Sequence, residues 1–286
     1  MAAEGPYNAV VFAGGGNRCV WQAGFWQVAA PACGLRPRVV AGVSAGAYIA
    51  CLLFSGRLAE AMAYAQEAMG RNPRNCYPAN LWRSGAVFPH LGIYRRGILK
   101  ILDQAALERL RQGPQLRVLL AHPPRWTGAV GGVLLGFGAY TLEKHLKHPL
   151  HPRFATRLGF TAELVPVAGC RQPQELADLI LASSCTPPVV PVMYRQGRVV
   201  LDGGLVDNVP LLAINPGEGP TLVLLSRRYP SALLRAQAGV TYLQPSRDIA
   251  ISKWDYTNPR GLQEAFDLGQ RDGESFVRLG AAALQN

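Results

Sequence analysis

Gly42-Val43-Ser44-Ala45-Gly46 sets a serine two residues from a glycine on either side. A strand that turns sharply into a helix at such a serine lifts the hydroxyl clear of the backbone, and the glycines remove side chains that would clash in the turn. That geometry suits a nucleophile. A tight turn whose serine caps the following helix would use the same residues. A carboxylate stands far downstream in Asp202-Gly203-Gly204, where the short run Arg198–Leu201 delivers Asp202 to a strand end. Open α/β sheets put their sites at such ends, and the two glycines let the chain turn away without covering the carboxylate. A carboxylate deprotonates serine directly when it lies within hydrogen-bond reach and a dry pocket raises its pKa. The plainer reading is an aspartate capping its own turn.

A third stretch, Gly14-Gly15-Gly16-Asn17-Arg18, precedes an apolar-periodic segment. Consecutive glycines before a helix expose backbone N–H groups beside the positive end of the helix dipole, which suits a developing oxyanion or a phosphate. A dinucleotide fingerprint would need glycine where Cys19 stands, and a phosphate-binding P-loop would need Lys-Ser/Thr after its last glycine. Arg18 either polarises that site or ties the loop. Histidine supplies no evident base, because a late histidine is expected in Ser, acid, His order and the last one here is His151. His145, His148 and His151 form an i, i+3, i+6 row, but Pro149 and Pro152 break any helical face they would share, so no metal site is expected.

The elements that position these residues follow from hydrophobic patterning. Asn8–Ala13 is an apolar run that meets a helical segment, Arg18 to about Ala30, through the triple glycine. Arg38–Ala41 repeats the pattern through the Ser44 turn into a helix over Ala47–Ser55. Two successive units of this kind predict parallel strands with crossover helices, a three-layer α/β/α domain with a mainly parallel central sheet. Further strands are expected over Thr161–Ala168 and Thr221–Ser226, with helices from Pro173 to about Ala182 and over Arg260–Leu284. With 286 residues and 49% hydrophobic content the chain suffices for one large domain, 1–286, and lies outside the composition of disordered proteins.

The formal net charge is +11, and its distribution is uneven. Residues 71–157 hold 11 Arg and three Lys against Asp103, Glu108 and Glu143, while the rest of the chain balances. The same window contains the uncharged run Trp126–Leu142, which includes five glycines and is short of the roughly 20 apolar residues that span a bilayer. The window reads as a basic insertion or cap, with the run interfacial, lid-like or buried. It is expected to contact an anionic membrane surface peripherally; a solvated basic face around a core helix is the bland alternative. No nucleic-acid module is visible, so nucleic acid is not an expected partner. The N-terminal residues carry no signal-peptide pattern, and six cysteines without CxxC pairing read as buried reduced thiols, so a cytoplasmic protein is expected.

Taken in order, Gly14-Gly15-Gly16-Asn17-Arg18, Gly42-Val-Ser44-Ala-Gly46 and Asp202-Gly203-Gly204 resemble the patatin-like phospholipase family. So do the Ala182–Pro188 block with Pro191 and the continuation Leu205-Val-Asp207-Asn208-Val-Pro210. The resemblance runs from about Val10 to Ser226 and is weak over the basic window. Cys19 departs from it, since many members have glycine there, and this bears on the packing of the glycine loop. The resemblance implies a Ser-Asp dyad lipid acyl hydrolase of phospholipase A or lysophospholipase type, without metal or cofactor. Ser44 would be the nucleophile and Asp202 the base, with the Gly15, Gly16 and Ala45 N–H groups as oxyanion donors. Acyl transfer, or hydrolysis of neutral glycerides or thioesters, would use the same dyad; a non-catalytic membrane-binding module is a remoter alternative.

Overall fold

The computed structural model describes residues 5–82, 85–147, 150–151, 154–234 and 237–285, with the side chains of 144–147 excepted. In chain order the elements begin with β1 (Ala9–Phe12), α1 (Val20–Ala32), β2 (Val39–Val43) and α2 (Ala45–Ser55). Next come α3 (Leu58–Gly70), α4 (His90–Ile101), α5 (Gln104–Gln112) and β3 (Gln115–His122). They continue with α6 (Gly128–Lys147), α7 (Phe154–Arg157), β4 (Thr161–Pro166) and α8 (Pro173–Ser183). The last are β5 (Met193–Arg195), β6 (Arg198–Asp202), β7 (Thr221–Leu224), β8 (Val240–Leu243) and α9 (Pro259–Leu279).

The strands form one sheet in the order β5-β6-β3-β2-β1-β7-β8, with β4 also on β3. The five strands from β3 through β8 in that order are mutually parallel, while β4 and β6 pair antiparallel with β3, and β5 pairs antiparallel with β6. β1 is buried along its whole length because each of its faces is covered. Val10 and Phe12 point into the main core with α1, α2, α8 and α9, whereas Val11 and Ala13 face a second cluster with Val209, Ala213 and Tyr242. The sheet is thus flanked on both sides, as the sequence pattern predicts. One layer is a thick set of helices; the other is thinner, built from α6, α7 and single helical turns around residues 203–214.

α1 and α9 lie close enough that a Cβ on Gly24 would strike the Phe266 carbonyl, and one on Gly269 the Trp21 carbonyl. Trp21 Nε1 donates to the buried carboxylate of Asp272 at 2.7 Å across the same contact. α9 is shorter than the sequence suggests: Gly280, at φ 75°, stops it, and a separate turn follows over Ala281–Leu284.

Residues 71–157 are not one inserted unit. They contain β3, whose residues from Val118 to His122 are all buried at the middle of the sheet, together with α4 and α5 of the thick helical layer. A charge count over a window does not resolve a buried strand inside it, since Arg117 reaches outward to Glu218 while its neighbours face the core. Only α6 and its flanks have the position of a cap. The run Trp126–Leu142 is helical despite its glycines, two of which permit close packing: a Cβ on Gly132 would meet Pro123, and one on Gly136 would meet Phe160 and Leu205. No helix among the described residues is long and apolar enough to cross a membrane.

Candidate active site

Two strands share one edge of β3 end to end. β2 runs parallel to β3 and its last residue, Val43, pairs with Leu119. β4 fills the opposite edge from Arg117 to His122, so β6, which pairs Asp202 with Leu120 and Leu201 with Ala121, must come in from the other direction on the edge that β2 has vacated. The residue after β2 is Ser44 and the last residue of β6 is Asp202. Sheet register therefore brings the two together.

At Ser44 the backbone has φ 54° and ψ −133°, a left-handed conformation that a side chain rarely adopts, at the junction of β2 and α2. Strain of this kind persists only where surroundings over-determine it. Here they do so twice. The Ser44 N–H donates to Ser183 Oγ at 2.8 Å, and that hydroxyl donates to the Leu119 carbonyl at 2.7 Å. The two flanking glycines are required by contact: a Cβ on Gly42 would run into Ala47, and one on Gly46 into the carbonyls of Phe12 and Ala13.

The Asp202 carboxyl accepts from the Gly204 N–H at 2.7 Å on Oδ1 and from the Thr186 hydroxyl at 3.3 Å on Oδ2, and it lines the same small pocket as Ser44. Burial pushes its pKa above the ordinary carboxylate value, against the opposing pull of those hydrogen bonds and the Lys253 charge. Gly203 must be glycine because a Cβ would collide with the Leu119 carbonyl.

The glycine loop is clamped at both ends. The Gly14 N–H donates to the Asn208 carbonyl at 3.0 Å, the Asn208 side chain returns a bond to the Gly14 carbonyl at 3.1 Å, and the Asn17 N–H donates to the Lys253 carbonyl at 3.2 Å. Between these clamps, Gly15 and Gly16 border a small polar pocket with Ser44, Asp202, Tyr140 and Lys253. Gly16 opens a single helical turn and Ala45 is the first residue of α2, positions whose N–H groups have no acceptor within their own helix. Arg18 lies in the lining of neither this pocket nor the apolar cavity beside it; its Nε reaches the Gly15 carbonyl at 3.5 Å, which ties the loop. Cys19 packs as a core residue, its thiol donating to the Ala13 carbonyl at 3.3 Å and its pKa pushed up to about 12 by burial.

A second, apolar cavity of about 110 Å³ opens on the other side of Ser44, between α2, α3 and α4. Ser44 and Gly16 border both spaces. Ser183, Thr186, Lys253 and the α6 residues Phe137 and Tyr140 complete the surroundings, and the spacing of motifs pointed to none of them individually. Ser183 and Thr186 fall inside the Ala-Ser-Pro block noted in the sequence; Lys253 and Tyr140 carry no local signal. His148 lies outside the described residues, as does the side chain of His145. His151 spends both ring nitrogens on Asp207 Oδ1 at 2.9 Å and Tyr242 Oη at 3.4 Å.

The sequence model of the patatin-like phospholipase family matches residues 10–214, about 72% of the chain. Among solved structures, VipD from Legionella pneumophila is similar in 95% of this chain and 67% of its own, with a TM-score of 0.47 and 13% identity. No curated protein sequence matches the chain.

Proposed function

The chain belongs to the patatin-like phospholipase family, and on that premise we propose that it is a lipid acyl hydrolase that cleaves phospholipid acyl esters through a Ser44–Asp202 dyad. The observation that carries the reading is the convergence of Ser44, held on its strained turn, and the buried Asp202 carboxylate on one small pocket, with an apolar cavity also bordering Ser44. Asp202 takes the Ser44 proton as Oγ attacks the acyl carbonyl. The Gly15, Gly16 and Ala45 N–H groups hold the tetrahedral oxyanion. On collapse the protonated Asp202 returns its proton to the leaving alcohol, and the acyl group remains on Ser44. Water, losing a proton to Asp202, then attacks the acyl carbonyl, and as the bond to Ser44 Oγ breaks Asp202 returns that proton to Oγ and the fatty acid leaves. The dyad needs no histidine because burial has already raised the basicity of Asp202.

The experiment is product analysis on defined phospholipid, triacylglycerol and acyl-thioester substrates, with Ser44→Ala as control. Free fatty acid from the phospholipid, absent with Ser44→Ala, supports the reading; no fatty acid from any substrate overturns it.

The outer face of α6 supports docking on an anionic lipid surface. Val130 and Leu134, one turn apart on α6, are each at least 70% exposed, as is Trp126 beside Arg125 in the turn before the helix, while Phe137 and Tyr140 of α6 border the pocket that holds Ser44 and Asp202. Leu134→Asp with Val130→Asp should weaken binding to vesicles containing phosphatidylserine and spare turnover of a small soluble ester. Unchanged vesicle binding would refute the docking face.

A further inference from the structure

β6 brings Asp202 to the site, yet its ladder to β3 comprises two register pairs, Leu120 with Asp202 and Ala121 with Leu201. Pro123 and Pro124 follow β3 and have no N–H to give a facing strand. The Val199 carbonyl, three residues before Asp202, is held by a side chain instead. His122, the last residue of β3, places its ring Nδ1 2.8 Å from that oxygen.

The other ring nitrogen also faces an acceptor. His122 Nε2 lies 2.5 Å from Glu163 Oε2 on β4, and the second oxygen of that carboxyl accepts from Arg195 Nε on β5 at 3.1 Å. Arg198 of β6 adds a further cation nearby, reaching Thr161, the residue opposite His122 in β4, at 3.4 Å. Burial alone would raise the Glu163 pKa, but the hydrogen bonds from His122 and Arg195 outweigh it and hold the carboxyl below its usual value. A carbonyl can only accept, and so can an ionised carboxylate. Both contacts of this buried ring are therefore hydrogen bonds only when both of its nitrogens carry hydrogen.

Loss of one of the two hydrogens forces a choice between the partners. A hydrogen bond to a carboxylate is stronger than one to a neutral carbonyl, so the remaining hydrogen stays on Nε2 for Glu163. The lone pair on Nδ1 then opposes the Val199 carbonyl, and the strand that carries Asp202 loses this tie.

We propose that His122 is a positioning residue for Asp202, holding β6 in place as a buried imidazolium between the Val199 carbonyl and Glu163, and that loss of its second proton releases the strand. The assignment rests on the dyad reading for the role of Asp202. His122 touches neither substrate nor the reacting atoms; it acts through the strand. Small displacements of a catalytic group are costly, about 10²-fold for 1 Å, so a strand held by two register pairs and one side chain is sensitive to that side chain.

The test follows kcat on a soluble ester against pH, beside nitrogen NMR of the histidine rings. At neutral pH both ring nitrogens of His122 are expected to be protonated, its signals being identified by their displacement in Glu163→Gln. On the alkaline side kcat should fall by about tenfold or more with KM little changed, at the pH where NMR shows the ring losing its second proton. Glu163→Gln decides the cause: its amide donates to Nε2, so a singly protonated ring keeps its hydrogen on Nδ1 for Val199, and the fall should vanish. His122→Phe should show the lowered kcat at every pH. A ring with a bare nitrogen at neutral pH, no alkaline fall in the natural protein, or a fall that Glu163→Gln leaves in place overturns the proposal. Amide hydrogen exchange over residues 198–202, compared between the natural protein and Glu163→Gln at each pH, reads the same release without turnover. If no ester is cleaved the dyad reading fails by itself, and the exchange decides the tie: equal rates in the two proteins on the alkaline side overturn it.

Discussion

Val43 and Asp202 occupy consecutive places along one edge of β3, Val43 opposite Leu119 and Asp202 opposite Leu120, although the two strands that carry them run toward each other. This head-on meeting is why a serine after one strand and an aspartate at the end of another line one small pocket. The Leu119 carbonyl at the joint receives the Ser183 hydroxyl, which holds the Ser44 amide, so the position of the joint and the orientation of the turn are linked.

Removing either partner of the dyad should stop catalysis without loss of fold. Ser44→Ala and Asp202→Asn are each expected to lower kcat on a soluble ester by roughly 10⁴-fold or more, the scale found when such a unit is broken. Initial rates alongside far-ultraviolet circular dichroism check this; a variant retaining a tenth of the activity would refute its role.

Acidification should switch the enzyme off above the ordinary aspartate range. Asp202 must be ionised to accept the Ser44 proton, and burial raises its pKa. kcat/KM should therefore rise with pH through a midpoint above about 3.9, the usual aspartate value. A profile flat down to the ordinary value would show that Asp202 is not the base.

The same shift has a stability consequence of defined sign. A carboxyl whose pKa is higher folded than unfolded is protonated more readily in the native state, so stability falls as pH rises between the two values, and the deficit persists above the folded one. Asp202→Asn carries no such deficit. Its Tm relative to the natural protein is expected to be higher at neutral pH than at acid pH, and a difference independent of pH would refute the linkage.

Ser183→Ala should act through the turn. Ser183 is fully buried, and loss of its hydroxyl deprives the Ser44 N–H of its acceptor and the Leu119 carbonyl of that donor. About 1–3 kcal/mol of stability is expected to go with it, together with a fall in kcat. Denaturant titration gives the first quantity and steady-state kinetics the second.

Two glycines should respond oppositely to alanine. A Cβ on Gly46 strikes the Phe12 and Ala13 carbonyls, whereas one on Gly138, in the middle of α6, meets nothing within 4 Å. Gly46→Ala is expected to lose more than about 4 kcal/mol or fail to fold, while Gly138→Ala gains about 0.5–1 kcal/mol from helix propensity. Thermal unfolding of both variants reads out the contrast.

Much of the framework was legible because its signals are local. The triple glycine and the Ser44 turn each sit between an apolar run and a helical pattern, so strand, turn and helix followed from spacing of side chains alone. The basic window misled for a physical reason. Net charge sums over residues irrespective of where they point, and the buried strand Gln115–His122 lies among arginines that reach outward. Lys253 and Tyr140 were invisible, since each approaches the site through packing of an element remote in the chain.

By itself the sequence determined the chemical types: a serine on a glycine-flanked turn, a carboxylate before two glycines, and a glycine loop with free amides beside a helix start. These depend on backbone conformations that neighbouring residues impose. Only the tertiary structure decided that the serine and the carboxylate meet. That meeting depends on β4 covering one edge of β3 and β6 returning antiparallel along the other, a pairing of distant strands that no local preference encodes.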